Sequence, residues 1–420
     1  MENDTARFAF SPDAGEVTRV TLRWGALSAF TFGLGRFWFK TAQRRLFWGR
    51  TTLGGDPFEY DGTAGEMLRG SVMVVILLGL AILGFNLALS WLSLRLFGAV
   101  SPPAAVGLTA LAVLPVLEFA KYRARRYRLL RTRWRGVRFG MERGAGGFVL
   151  LWARHALLMV LTLGLSRPWL RMARERRMTE RMRYGDAPFR FEGRAAPLFR
   201  PWAMVWFGAL AAFAFLALIR NFGFVVAWGE TRLDMMRVLY PLAAALAAAL
   251  LYALWCGYRA AELNAFMEAR RVAGLRITCR LDGAALRRAA WATVGRGLLA
   301  LPFLALFLVS LAATALNLAV MAEGGDAAEV PLSLDLSLFA RFETLAGQAL
   351  FLVAAWANYG FAVLYLIWLV HGVHAPRAHA ALMAAAEATG LASLAAVRNR
   401  PGEGQIEAEG FADVLDAGGL

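Results

Sequence analysis

The chain has 420 residues, of which 59% are hydrophobic, and its formal net charge at pH 7 is +16. Soluble domains are about 45–50% apolar, so this composition excludes an ordinary water-soluble protein. The charge comes from arginine, since lysine occurs only at Lys40 and Lys121. The arginines lie between apolar segments, which favours the membrane surface over nucleic acid as the reason for the charge.

Motifs for export, metal binding or catalysis are not found in the sequence. Met1–Val20 is polar, which predicts that no cleavable signal peptide is present. Cys256 and Cys279 show no CxxC or His/Cys spacing, so neither a disulfide nor a zinc site is predicted. The sequence contains no GxSxG, HExxH, Walker-type loop or GxGxxG in its required context. We therefore predict no cofactor, no metal and no catalytic residues.

Six apolar stretches are long enough to cross a hydrocarbon core, which takes about 20 residues. They lie at residues 71–94, 101–119, 201–219, 238–258, 294–321 and 345–370. They form three pairs, and the loops within each pair carry few positive charges. The segments between pairs are rich in Lys and Arg, so the positive-inside rule predicts that those segments are cytoplasmic.

Two further apolar stretches, at residues 20–35 and 147–166, are each flanked by basic sequence on both sides. A full span at either place would carry one of the basic segments, or the N-terminus, across the membrane. We therefore favour re-entrant or interfacial segments over full spans.

Internal repetition is the clearest pattern in the chain. Residues 31–70 align without a gap onto residues 162–201, and each copy reads as a TxGL turn, a basic helix, a Gly/Pro turn and a short alternating run. The repeat motif comprises Trp38, Gly54, Pro57, Phe58 and Gly62 in the first copy and Trp169, Gly185, Pro188, Phe189 and Gly193 in the second.

Short runs of alternating apolar and polar residues recur along the chain, and this alternation is typical of half-buried strands. The runs lie at residues 8–10, 58–62, 137–139, 189–193, 277–283 and 406–410. A lone strand of this length is unstable, so we predict that six such strands pair into one small cytoplasmic sheet. This prediction requires that 20–35 and 147–166 each return to the side they left.

An N-terminal Phe8-Ala-Phe10, the turn Thr162-Leu-Gly-Leu-Ser-Arg-Pro168-Trp169 and the strand that follows the basic helix resemble the YjgN family of bacterial inner-membrane proteins. This family is built on domain of unknown function 898. The resemblance covers about residues 6–415, although the first copy has Phe37 where the motif has proline. It implies a topology and a location, because the family has no established activity or catalytic residues to transfer.

Polar residues inside the apolar sequence form a candidate intramembrane polar site. Its members are Arg154, His155, Arg296, Asn86 and Asn358. Ionisable residues at membrane depth are costly and often mark a transport path. Structural pairing or snorkelling to the interface explains the same residues, and both readings stay open.

Basic helices beside a membrane attract anionic headgroups, and we interpret five arginines in this way. These candidate lipid-facing residues are Arg125, Arg126, Arg174, Arg176 and Arg177. His371 and His374 are one helical turn apart, a spacing that permits chelation. An interfacial helix end is the simpler explanation of these histidines, and no metal site is predicted.

The sequence therefore predicts an α-helical polytopic membrane protein with about six transmembrane helices, two re-entrant or interfacial segments and short cytoplasmic strands. Three repeat units are expected at residues 1–118, 119–258 and 259–420, in a bacterial inner membrane with the N-terminus cytoplasmic. The leading functional hypothesis is a channel or transporter. The alternative is a non-catalytic scaffold that binds anionic lipid or a partner protein, and a homo-oligomer or a membrane-protein partner is left open.

Overall fold

The computed structural model describes residues 5–31, 33–98, 102–226, 230–297, 302 and 345–399. Eleven α-helices lie in this part of the chain. They are α1 (Ala14–Phe30), α2 (Arg36–Gly49), α3 (Ala64–Phe97), α4 (Pro102–Leu130), α5 (Ala145–Leu161), α6 (Arg167–Thr179), α7 (Ala196–Val226), α8 (Glu230–Glu268), α9 (Gly283–Gly297), α10 (Leu345–Ile367) and α11 (Ala375–Ala384). A π-helical segment, Trp368–His374, joins α10 to α11.

Ten short strands lie between these helices in the same described part of the chain. They are β1 (Thr5–Phe10), β2 (Thr51–Leu53), β3 (Asp56–Tyr60), β4 (Thr132–Trp134), β5 (Val137–Met141), β6 (Met182–Tyr184), β7 (Ala187–Phe191), β8 (Arg270–Val272), β9 (Leu275–Cys279) and β10 (Ala386–Thr389). All neighbouring pairs are antiparallel, and the strands close into a barrel in the order β1-β10-β9-β8-β7-β6-β5-β4-β3-β2.

The predicted six-span helical fold is wrong, because the chain also contains this closed barrel and fewer apolar helices qualify. Among the described residues, four segments are long and apolar enough to cross a membrane. They are Leu78–Leu96, Ala196–Arg220, Leu239–Glu268 and Tyr359–Ala384. The expected span at 101–119 lies in the first part of α4, where the side chains of residues 102–106 and 110 are outside the described part of the chain. Most of the expected span at 294–321 lies outside the described residues.

The two short apolar stretches form α1 and α5, helices of 17 residues each. A helix of that length is about 25 Å long, which is less than the roughly 30 Å of a hydrocarbon core. Both end in the TxGL turn, where the N–H of Gly33 donates to Ser28 O at 2.8 Å and that of Gly164 to Met159 O at 2.7 Å. Both glycines have positive φ, +85° and +89°, as a helix C-terminal cap of this type requires.

The chain forms two compact units. The first contains Met1–Ser11, Arg44–Arg288 and Ala378–Leu420, and therefore the whole barrel. The second contains Pro12–Gln43 and Ala289–Arg377. In the second unit α1 packs closely on α10, where a Cβ at Gly25 would lie 3.1 Å from Ile367 and 3.2 Å from Leu364.

The first strand closes the barrel by pairing on both sides. Its residues Thr5–Arg7 pair with β10, in the register Thr5 opposite Thr389. Its residues Phe8–Phe10 pair with β2, in the register Phe10 opposite Thr51. The barrel therefore consists of five hairpin-like units. Four are formed by consecutive strands, and the fifth is formed by β1 and β10.

Five alternating runs predicted from the sequence overlap β1, β3, β5, β7 and β9, and those at 58–62, 189–193 and 277–283 extend past the ends of their strands. The sixth, at 406–410, lies outside the described residues. The prediction of a single sheet of six strands is wrong. Four short strands pair with these runs, and together with β10 they close the sheet into a barrel.

Side chains fill the barrel interior. Trp134 and Tyr184 are buried there with Leu53, Val272 and Leu275. The ring of Trp134 lies 5.8 Å from that of Tyr184, and the Tyr184 hydroxyl donates to the carbonyl oxygen of Trp134 at 2.9 Å. Burial raises the pKa of Tyr184 to about 12. The interior is therefore a packed core, as expected for a barrel of small diameter.

The segment after β10 closes the end of the barrel that carries the hairpin turns. It forms a 3₁₀ helix, Leu391–Ala396, whose Leu394 is buried in the barrel core. The backbone of Arg398 is held by Asp186, whose N–H donates to Arg398 O at 3.0 Å. Asn399 donates to Gly136 O at 3.1 Å. We call residues 390–399 the C-terminal plug.

The plug fits closely against one hairpin turn, which gives a direct test. Gly185 has φ of +54°, and a Cβ there would lie 2.2 Å from Arg398 O; Gly136 has φ of +74°, and a Cβ there would meet nothing within 4 Å. Both Gly185→Ala and Gly136→Ala incur the left-handed backbone penalty of about 1–2 kcal/mol. Only Gly185→Ala should also displace the plug, measured as faster trypsin cleavage at Arg398. Equal cleavage rates in the two variants would contradict this packing.

Candidate functional site

An ion-pair cluster surrounds the amphipathic helix α6, where the end of α4 and the end of α8 meet the barrel. Its centre is Glu175, whose carboxylate accepts from Arg125 at 2.8 Å and from Arg270 at 2.5 Å. Burial alone would raise the pKa of Glu175, but the two guanidinium groups outweigh it and hold the pKa below its ordinary value of 4.5.

Two more buried carboxylates complete the cluster. Glu118 on α4 lies 2.8 Å from Arg174 and 2.9 Å from Lys121. Glu262 on α8 has no solvent exposure and pairs with Arg171 and Arg259. Breaking a buried ion pair leaves an uncompensated charge, so these pairs fix the position of α6 between its neighbours.

A cavity of about 400 Å³ lies between α4 and the beginning of α5. Its lining residues are Phe119, Tyr122, Arg123, Arg126, Arg143, Gly144, Ala145 and Gly146. Arg126 is held at the cavity wall because its Nε donates to Met141 O at 2.8 Å. The Tyr122 hydroxyl donates to Glu142 O at 2.8 Å. The cavity therefore lies at a helix N-terminus and has three arginines in a wall that is otherwise largely apolar.

The outer face of the barrel carries a row of arginines on three adjacent strands. Arg190 on β7 lies directly opposite Arg271 on β8, and Arg271 lies opposite Arg276 on β9. Arg190 and Arg276 are exposed, whereas Arg271 also pairs with Glu192 at 2.5 Å. Like charges directly opposite one another destabilise a sheet, and the Glu192 carboxylate offsets the charge of the middle residue, Arg271.

Three of the candidate intramembrane residues lie on α3 and α5 of the first unit. Arg154 is exposed on α5, and the neighbouring His155 ring lies 2.9 Å from Leu151 O in its own helix. Asn86 links α3 to α4, since its Oδ1 accepts from the Thr109 hydroxyl at 3.0 Å.

The two remaining candidate intramembrane residues belong to the second unit. Arg296 is exposed near the end of α9 and donates to Ala292 O at 2.7 Å, one turn earlier in the same helix. The side chain of Asn358 lies outside the described residues. The described contacts therefore do not bring the five candidates into one site.

The five basic residues predicted to face lipid have different environments. Arg125 and Arg174 lie mostly buried in the ion pairs of α6, with side-chain exposures of 18% and 16%. Arg126 lines the cavity. Arg176 donates to Gly193 O at 2.7 Å, and a Cβ at Gly147 would lie 2.9 Å from Nη2 of Arg177.

The repeat motif has a structural explanation in both copies. Gly54 and Gly185 occupy the hairpin turns with positive φ, and Pro57 and Phe58, like Pro188 and Phe189, lie in the strands that follow. Gly62 and Gly193 follow those strands and lie directly under the aromatic rings of Tyr60 and Phe191, which would clash with any Cβ. Trp38 and Trp169 are partly exposed on the basic helices.

The clustered histidines make local contacts in the structure. His371 lies 3.2 Å from Gln43 Nε2, and its ring packs edge-on against Phe39. His379 lies 3.0 Å from the Thr51 hydroxyl. Within the described ranges no group of three or more His, Cys, Asp or Glu residues is arranged to hold a metal ion.

Sequence reasoning missed the buried carboxylates Glu175 and Glu262 and the cavity at Gly146. The carboxylates gave little local signal, because all their named partners except Arg259, three residues before Glu262, are 50 to 95 residues away in the chain. The cavity had one signal: Gly144-Ala-Gly-Gly147 begins an apolar helix without an acidic residue in the first turn, directly after a basic run.

These observations define a class of protein, a bacterial-type helical protein with membrane-length apolar helices whose connecting hairpins close into a small filled barrel. A family model described as a bacterial protein of unknown function (DUF898) matches residues 5–320, and the chain belongs to that family. The resemblance inferred from the turn and strand motifs is thereby confirmed. No curated protein and no solved structure matches the chain.

Neutralising the central carboxylate tests the ion-pair cluster. Glu175→Gln leaves Arg125 and Arg270 without a counter-charge and should lower the free energy of unfolding by about 3–5 kcal/mol. The control is Glu192→Gln, since Glu192 pairs with Arg271 at the surface, where such a pair is worth about 0–1 kcal/mol. Chemical unfolding in detergent measures both.

The same variant has a pH signature with a defined sign. Because the pKa of Glu175 is lower in the folded than in the unfolded state, its stabilisation is complete above the unfolded value and is lost as the pH falls below about 4.5. Glu175→Gln should therefore flatten the acid limb of the stability profile. An unchanged acid limb would show that Glu175 is not held by these arginines.

Proposed function

We propose that this protein is a non-catalytic scaffold of the bacterial inner membrane that binds anionic lipid through the basic face of its barrel and the adjoining helices. It crosses the membrane several times, and its barrel and N-terminus lie on the cytoplasmic side. The observation that carries this proposal is the row formed by Arg190, Arg271 and Arg276 on the outside of the barrel.

The row belongs to strands that lead directly into apolar helices. Arg271 lies three residues after Glu268, where one candidate span ends, and Arg190 lies six residues before Ala196, where another begins. At about 3.3 Å per strand residue, both arginines are within roughly 20 Å of a span end. The attraction of a basic residue to anionic headgroups is about 1 kcal/mol near the surface and falls off within a Debye length of about 8–10 Å. It is therefore stronger for Arg271, which is closer to a span end, than for Arg190.

The filled interior supports a scaffold rather than a conduit. The aromatic core and the C-terminal plug occupy the barrel, so the barrel offers neither a passage nor a substrate pocket. A channel or transporter formed by the helices stays a prediction from the sequence. The contacts of His155 and Asn86 in the described residues are with their own or the neighbouring helix, and they do not favour it.

The proposal predicts a preference for anionic bilayers. In nanodiscs, the thermal midpoint should be higher in phosphatidylglycerol than in phosphatidylcholine, and 1 M salt should reduce the difference because it screens exposed charges. Arg190→Gln and Arg276→Gln should each lose part of this difference. Arg7→Gln is the matched control, because Arg7 is exposed on the same barrel but pairs with Glu387 at 3.1 Å. Equal midpoints in the two lipids would contradict the proposal.

A further inference from the structure

A strongly acidic segment of the chain follows the C-terminal plug. Residues 403–416 carry five carboxylates and neither lysine nor arginine. The acids are Glu403, Glu407, Glu409, Asp413 and Asp416. The whole chain has 46 basic and 30 acidic residues, so this segment is opposite in charge to the protein as a whole. We call residues 403–416 the acidic segment; it lies outside the described residues, and the plug fixes where it starts.

The plug brings the chain to the barrel surface beside one hairpin turn. The carbonyl oxygen of Arg398 accepts from the N–H of Asp186 at 3.0 Å, and the N–H of Arg398 donates to the Asp186 carboxylate at 3.2 Å. The side chain of Asn399 accepts from the N–H of Arg138 at 2.9 Å. Arg398 and Asn399 are both exposed, so the chain leaves the plug at the surface. Three residues then separate Asn399 from the first acid.

The acidic segment starts within reach of the arginines at the matched positions of β7, β8 and β9, which we call the arginine row. Arg190 lies four residues beyond Asp186 along the chain, or about 13 Å at the rise of a strand. Arg276 lies two strands further, or about 10 Å at the spacing of paired strands. An extended chain covers up to about 3.5 Å per residue, so the five residues from Arg398 to Glu403 can span about 17 Å. Every later acid reaches further.

The charges of the arginine row and the acidic segment are complementary. Arg190 and Arg276 are exposed, and Arg271 between them pairs with Glu192. Three guanidinium groups and one carboxylate leave the row positive. Ion pairs at an exposed surface are individually weak. A segment on a short linker is nevertheless present at a millimolar effective concentration, so several weak pairs are enough to hold it.

The acidic segment also matches the row in its pattern. It contains the alternating run at 406–410, in which Glu407 and Glu409 are the polar residues. In an extended run these two carboxylates share one face and lie about 7 Å apart. Each of the ten described strands is already paired on both sides in the closed barrel, so the barrel offers no edge to a further strand. The run can therefore meet the barrel through its carboxylates and not through backbone pairing.

We propose that the acidic segment binds the arginine row of its own barrel and competes there with anionic lipid headgroups. The lipid part of this inference rests on the proposed function, whereas the contact between segment and row stands on its own. The row then has two alternative occupants. At a neutral surface the segment covers the arginines, and an anionic surface displaces it, so lipid binding is regulated by a part of the same chain.

Carbodiimide coupling of the full chain tests the contact, because this reagent joins a carboxylate to an amine only where the two meet. Arg190→Lys and Arg276→Lys each keep the charge and put an amine into the row, against a background of only Lys40 and Lys121. In phosphatidylcholine nanodiscs each variant should couple to the acidic segment, as identified by mass spectrometry of the peptides. Coupling should be lost in 1 M salt, where the Debye length is about 3 Å.

The matched control is Arg7→Lys, since Arg7 is exposed on the same barrel and pairs with Glu387. This variant should couple to Glu387 and not to the acidic segment. Coupling to Glu387 in the control, with no coupling of the segment in either row variant, would overturn the inference. Mixing chains labelled with light and heavy nitrogen shows whether a coupled pair belongs to one chain. Coupling found only between chains would also overturn the inference and assign the row to a second copy.

The same variants test the competition with lipid. Coupling to the acidic segment should be lower in phosphatidylglycerol nanodiscs than in phosphatidylcholine nanodiscs. Neutralising all five acids, with Gln for Glu and Asn for Asp, should enlarge the difference in thermal midpoint between the two lipids. Coupling that is equal in the two lipids would overturn the competition. Absence of coupling with a persisting anionic preference would overturn the inference alone, whereas strong coupling with equal midpoints would overturn the proposed function and leave the segment bound to the row.

Discussion

The closure of the barrel is the constraint on which the rest of the structure depends. Its strands are only three to six residues long, and such strands do not persist alone. Closing the sheet satisfies every edge, and β1 completes the closure by pairing with β10 and β2. Because every hairpin strand continues into a helix at the end away from the turns, closure also fixes where the helices of the first unit begin.

Ion pairs neutralise charge both between the helices and on the barrel surface. Buried carboxylates such as Glu175 neutralise the arginines that pack between helices. At the barrel surface Glu192 pairs with Arg271 and Glu387 with Arg7, and the exposed Arg190 lies beside Arg271. An anionic headgroup layer has the charge complementary to the arginine row, which is the basis of the proposed scaffold role.

The sequence predicted the strands that alternate, such as Phe58–Tyr60 and Phe189–Phe191, because alternation is a local signal. It did not predict the three-residue strands at Thr51 or Met182, which are too short for a pattern, or the closure, which joins residues at opposite ends of the chain. Arg125 was interpreted as lipid-facing because it lies in a basic helix. Its burial could not be predicted, because that depends on Glu175, 50 residues away. The α5 cavity combines two segments whose approach follows from the fold, so composition alone did not reveal it.

Disulfide formation between the first and last strands tests the closed barrel most directly. In a chain with Cys256 and Cys279 replaced by alanine, Thr5→Cys and Thr389→Cys would face each other across β1 and β10, and mild oxidation should link them in high yield. The control pairs Thr5→Cys with Arg190→Cys on β7, which is not adjacent to β1 in the strand order. Selective linkage of 5 to 389 is the predicted result, and no linkage, or equal linkage in the control, would contradict the account.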